Sequence, residues 1–218
     1  MGVRLAGAVI GFVLQIVLAR SLTPDEMGGW FLMVSLASFA GLFIGAGYPT
    51  LGLTVLARYH TQDRPRMVRR FLDKAAYDIS KYALVLALPG IAFLLMAPVD
   101  TVTRLAVVSG LIIAPATAMI RLNGAAANAV RKYLLTIVPD FMGKSLLLLV
   151  FVACWIAMTG ELSLAVVAVA FIVLSYLTAW ASGGLLGSNG VVGWGRDSAS
   201  LRLGNAWSAR AFPLVIVA

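Results

Sequence analysis

From Trp30 to Ala57 the chain runs 28 residues without one charged side chain. A hydrocarbon layer about 30 Å thick is crossed by about 20 apolar helical residues. Backbone polar groups inside it must find partners within the protein, so spanning segments are helices or closed barrels. Comparable apolar runs recur along the sequence. With 61% hydrophobic and 12% charged residues over 218 positions, and a mean hydropathy of +0.96, the chain stands far from the roughly 25% charged of a soluble domain. The expected fold class is all-α: a polytopic transmembrane helix bundle of six spans plus the start of a seventh.

The first run, Leu5 to Ala19, has only fifteen residues, about 22 Å of helix, so Met1 to Val3 are expected to extend it. Arg4, the apolar stretch and the triplet Ala19-Arg20-Ser21 also outline a signal peptide. A turn motif follows where a mature start would be arbitrary, and a span is the preferred reading. Gly45, Gly47 and Pro49 interrupt the second run, since a helix interior tolerates them poorly, and predict a span ending near Tyr48. Tyr82 to Val99 with Pro89, about Thr101 to Ile120 with Pro115, a stretch within Tyr133 to Thr159, and Leu162 to Ala181 complete the six. Residues 1–181 are then an amino-terminal six-helix lobe, the glycine-rich residues 182–210 a cytoplasmic linker, and residues 211–218 the start of a truncated seventh helix. No internal repeat or low-complexity tract is present.

Seventeen basic residues against nine acidic ones give a net charge of +8. In a soluble chain that excess would suggest nucleic acid, but lysine and arginine also concentrate on the cytoplasmic side of short membrane loops. Arg4, the seven cations from Arg58 to Lys81, then Arg121, Arg131 and Lys132, and finally Arg196, Arg202 and Arg210 fall on one side of the expected spans. Arg20 and Arg104 alone fall on the other, and Lys144 lies inside the fifth span. Both ends of the six-span unit are therefore expected in the cytoplasm, and a nucleic-acid partner loses its support. Val68, Phe71, Leu72, Ala75 and Ile79 recur at helical spacing between Arg66 and Lys81, an amphipathic helix entering the third span; it is expected to lie among the headgroups, held by anionic lipid, in preference to binding a substrate.

Reactive groups are sparse. Cys154 is the single cysteine and His60 the single histidine, in a loop with Asp63, so no disulfide, metal site or acid-base pair is indicated, and neither enzyme activity nor a cofactor is expected. Asp140 and Lys144 are four apart and share a helix face. A charge near the edge of the hydrocarbon faces a bundle interior or wet cavity, or snorkels to the interface, and the sequence leaves both readings open. Arg121, Arg131 and Lys132 flank the small-residue tract Asn123 to Asn128, which lets helices approach closely. With Lys144 they would make a cationic mouth suited to phosphate or pyrophosphate. Gln15, Ser35, Ser38, Ser109, Thr117, Ser175, Tyr176 and Thr178 offer hydrogen bonds at lipid depth, to sugar hydroxyls or to neighbouring helices.

The turn between the first two spans reads as a helix start. Thr23 can cap with Glu26 in a capping box, and Pro24 suits the first helical position. Here Leu18, Ala19, Arg20, Leu22, Pro24, Gly28 and Trp30 resemble the first hairpin of polysaccharide flippases of the multidrug/oligosaccharidyl-lipid/polysaccharide exporter superfamily. Thr23 stands where glycine is common, and Gly29 is an extra residue before Trp30. Gly45-Ala46-Gly47, Arg58, the Gly124 tract and Arg210-Ala211-Phe212-Pro213-Leu214 are similar to the family in the expected order. The resemblance implies a two-lobed transporter of the bacterial cytoplasmic membrane. Its substrate would be an undecaprenyl-pyrophosphate-linked glycan for polysaccharide, O-antigen or capsule export, moved through a cationic cavity by alternating access. This chain would be the amino-terminal lobe, its partners anionic membrane lipid and a carboxy-terminal lobe. Arg20, Arg58, Arg121, Lys144 and Asp140 are the expected head-group contacts. A cation-coupled multidrug exporter and a non-transporting scaffold subunit are the alternatives.

Overall fold

The computed structural model describes residues 2–62, 64–96, 98–132 and 143–188. Among them the chain forms helices and no strand: α1 (Gly2–Ser21), α2 (Pro24–Gly45), α3 (Tyr48–Thr61), α4 (Pro65–Met96), α5 (Thr101–Ala129), α6 (Lys144–Thr159) and α7 (Leu164–Ser188). Four of these, α2, α4, α5 and α7, are long and apolar enough to cross a membrane. Leu5–Ser21 and Lys144–Thr159 are apolar but shorter; sixteen residues make about 24 Å of helix, less than the hydrocarbon thickness. The outer surface suits lipid. Phe12, Phe39, Leu84, Leu88, Met96, Met158 and Trp180 are all largely exposed, a surface that water would penalise.

Helix α5 is the axis of the bundle, packed against α2, α3, α4 and α7, while α1 leans on α6. Small residues make this possible. Ala37, Gly41 and Gly45 line one face of α2 at four-residue spacing, and Gly110, Ala114 and Ala118 do the same on α5. A Cβ on Gly110 would lie 3.0 Å from the Met33 carbonyl, and one on Gly41 would lie 3.1 Å from the Ala114 carbonyl. Backbones this close gain dispersion contact that larger side chains would prevent. Two apolar clusters are stacked along this pair, one toward α1, α6 and the start of α7, the other among α3, α4 and the end of α5.

The first turn forms as its residues predict. Thr23 caps α2, with its backbone N–H donating to Glu26 Oε2 at 3.1 Å and its Oγ1 accepting from the Glu26 N–H at 3.4 Å. Glu26 does more than close the box. Its Oε1 accepts from the Leu164 N–H at 3.0 Å, capping α7 as well and fixing two helix starts at one end of the bundle. At the same end Asp100 caps α5 through the Thr103 N–H at 3.1 Å. Hydrogen bonds from Thr103 hold the Asp100 carboxyl below its usual range.

Two expected boundaries move. Helix α2 stops at Gly45, three residues before the end expected near Tyr48, and Ala46 and Gly47, both with positive φ, break the chain at the expected interruption before it resumes as α3. The amphipathic stretch runs on into the third expected span as the first half of α4, and its apolar face, Val68, Phe71, Ala75 and Ile79, is buried in protein against α3 and α5. Residues 182–188, expected in the linker, continue α7. Leu186 is buried, and Ser182 accepts a hydrogen bond from Asn123, which ties that last stretch to the bundle. The rest of the expected linker, and the start of a seventh span, lie outside the described residues.

Candidate functional site

Asp25, Glu26, Asp100 and Glu161 gather at one end of the bundle, while α3, the start of α4 and the end of α5 carry most of the described cations to the other. The expected head-group residues distribute along this axis and do not form one cluster. Arg20 is exposed in the last turn of α1, at the acidic end. Arg58, exposed in the last turn of α3, and Arg121, half-buried on α5, lie on neighbouring helices at the basic end. Asp140 lies outside the described residues.

Lys144 is placed most distinctively. It opens α6, and its Nζ sits 4.8 Å from the centre of the Phe171 ring. Phe171 is buried and packs edge-on against Trp30 at 5.1 Å. As the eighth residue of α7, it lies about 10 Å along that helix from the acidic end. The window Leu164–Gly187 of α7 has 24 residues, about 36 Å, so the ammonium rests well inside the bundle rather than at its basic rim. An aromatic face attracts a cation by about 0.5–2 kcal/mol, more as water is removed. Elsewhere, the exposed faces of α1 and α2 carry the polar groups Gln15, Ser35 and Ser38.

A second polar centre was not singled out from the sequence. The Tyr48 hydroxyl donates to Asp78 Oδ2, and Lys74 Nζ donates to Asp78 Oδ1 at 2.7 Å. Tyr48 is fully buried and Asp78 only 4% exposed. The Lys74 ammonium also faces the Tyr77 ring at 5.4 Å. The cluster pins the α2–α3 break to α4. Its signal was present: Asp78 follows Lys74 by four and falls on the helix face that carries Phe71 and Ala75, where a carboxylate needs a partner.

Asn123 forms the third. Its Nδ2 donates to the Ala179 carbonyl at 3.2 Å and to Ser182 Oγ at 2.9 Å, joining α5 to α7. Tyr176 adds a bond to the Ile112 carbonyl at 2.9 Å. Thr117 and Thr178 bond carbonyls of their own helices. Ser175 Oγ is buried without a partner among the described residues. His60 is exposed, and no group of three or more His, Cys, Asp or Glu side chains able to hold a metal occurs among the described residues. Comparison of the whole chain with protein-family models, with curated proteins and with solved structures finds no match.

Proposed function

We propose that this chain is the helical lobe of a membrane transporter that carries an anionic, lipid-linked saccharide across the bacterial cytoplasmic membrane. In this reading α1 and α6 complete six spans, the basic end and the amino terminus face the cytoplasm, and a second lobe closes a cavity by alternating access. The observation that carries it is the Lys144 ammonium, held over Phe171 at lipid depth. Intramembrane cations mark substrate paths more often than they serve lipid contact. A compact point charge at that depth attracts a phosphate, with stronger Coulomb attraction in the low dielectric. Gln15, Ser35 and Ser38, exposed among apolar neighbours on α1 and α2, supply hydroxyl and amide groups that suit a sugar. The resemblance of the first hairpin to polysaccharide flippases points to a pyrophosphate-linked glycan.

Export of such a glycan by cells relying on the intact protein tests this. Lys144→Ala is expected to reduce export about tenfold or more at unchanged membrane abundance, since a hydrogen bond to a charged group contributes about 1.5–3 kcal/mol. Lys144→Arg is expected to retain most of it. Unchanged export in Lys144→Ala removes Lys144 from the path. A cation-coupled drug exporter is the second reading, favoured by the buried carboxylate of Asp78; its test is rescue of drug resistance in an efflux-deficient strain. A scaffold subunit would bind a partner and move no labelled lipid.

A further inference from the structure

Three helices outrun the hydrocarbon at the basic end. Helix α4 has 32 residues, α5 has 29 and α7 has 25, whereas about 20 residues cross the apolar core. Counted from the acidic end, the core is used up near residue 77 in α4, residue 120 in α5 and residue 183 in α7. At and beyond those points the helices border an open cleft of about 210 Å³ lined by Arg69, Asp73, Asn123, Gly183, Leu186 and Gly187, among others. Headgroups occupy that level of a bilayer. The volume is below the roughly 300–1,000 Å³ of sites that enclose a drug-sized ligand, so it suits a headgroup and not a saccharide.

The lining is chemically two-sided. Arg69 Nε contacts Asp73 at 3.6 Å, with the arginine side chain 25% exposed and the carboxylate 71% exposed. A guanidinium has five donors in a planar fork and can serve a carboxylate and a phosphate together. Across the cavity Asn123 is 7% exposed, and both its N–H groups are engaged by Ala179 and Ser182. What it can offer a ligand is its carbonyl oxygen, an acceptor. Two glycines one turn apart on α7 keep the space open. A Cβ on Gly183 would meet Asn123 Nδ2 at an ordinary 3.6 Å, so close helix packing does not require that glycine. Residues 64 to 78 carry five cations against two carboxylates, which draws phosphate to this surface.

We propose that this cavity is a binding site for a phospholipid headgroup with a phosphate and a primary ammonium, of the phosphatidylethanolamine type. The phosphate pairs with Arg69, and the ammonium donates to the Asp73 carboxylate and the Asn123 carbonyl. Phosphatidylcholine has no N–H to give these acceptors, and phosphatidylglycerol brings no cation to Asp73. The site is independent of the transport reading, and its test reads retained lipid, not export.

The purified chain is exchanged into nanodiscs of phosphatidylcholine doped with phosphatidylethanolamine or with phosphatidylglycerol, released into detergent, and weighed intact with its bound lipid. Retention of phosphatidylethanolamine over the other two is expected. Arg69→Gln is expected to lower it about tenfold, equivalent to about 1.4 kcal/mol, and Gly183→Leu to abolish it by filling the space. Gly183→Ala keeps the fold testable and is expected to weaken retention. Arg66→Gln, exposed on the same helix, is expected to leave it intact. Equal loss in Arg66→Gln and Arg69→Gln, or a preference for phosphatidylglycerol, would show general attraction to a basic surface and overturn the proposal. Retention unchanged in Arg69→Gln and both Gly183 variants overturns it as well. Displacement by soluble ethanolamine phosphate as readily as by the lipid would assign the cavity to a free phosphate ester instead.

Discussion

At the residue scale, two lysines show how little a position in the chain says about the role of its charge. Lys74 and Lys144 each reach inward, Lys74 to a buried carboxylate and Lys144 to an aromatic face. Removing Asp78 strands the first. Asp78→Ala leaves the Lys74 ammonium and the buried Tyr48 hydroxyl without that partner, and breaking a buried pair from one side costs about 3–5 kcal/mol. Thermal unfolding in detergent should show that loss. Asp78→Asn with Lys74→Met is expected to recover most of it, because an amide oxygen still accepts from Tyr48 and no charge is stranded. If the double variant is as unstable as Asp78→Ala, the cluster is not held by charge pairing.

At the element scale, α2 and α5 are set by what their contact faces lack. Gly110→Val would push a branched side chain against the Met33 carbonyl, where even a Cβ lies at 3.0 Å, and overpacking of this kind costs about 1–3 kcal/mol. Gly28, on the same helix as Met33, has nothing within 4 Å of its would-be Cβ. Gly28→Ala is expected to stabilise by about 0.5–1 kcal/mol through the unfolded chain. Chemical denaturation of the two variants checks both signs. The caps add a pH dependence. The Asp100 carboxyl is depressed in the folded chain by Thr103, so its contribution is fully present above the ordinary carboxylate value and is lost as pH falls through the depressed one. Asp100→Asn, which caps without titrating, is expected to remove that part of the acid sensitivity in thermal unfolding scans between pH 7 and 3.

At the scale of the whole molecule, charge segregation is the feature on which the proposed orientation rests. In a Cys154→Ser background, a cysteine at Gln62 should resist an impermeant maleimide added to intact cells, and one at Glu161 should react. The reverse pattern would invert the proposed orientation. The all-helical character and the capped first hairpin were legible in the residues, since apolar run length, proline, glycine and a capping box act over one or two turns and need no distant partner. The small-residue faces of α2 and α5 were legible in principle as four-residue spacings, yet nothing local says which two faces meet. The spacing from Lys74 to Asp78 was legible, but Tyr48 as the second partner was not: it reaches Asp78 only because α3 starts at the Ala46–Gly47 break and packs against α4. Lys144 could as well have snorkelled; the ring beneath it comes from α7, 27 positions along the chain. Local order thus follows from hydrogen bonding and hydrophobicity along the backbone. Which charges are buried, and the cavity beside Asn123, depend on contacts between residues far apart in the chain, and those exist only once the helices have packed.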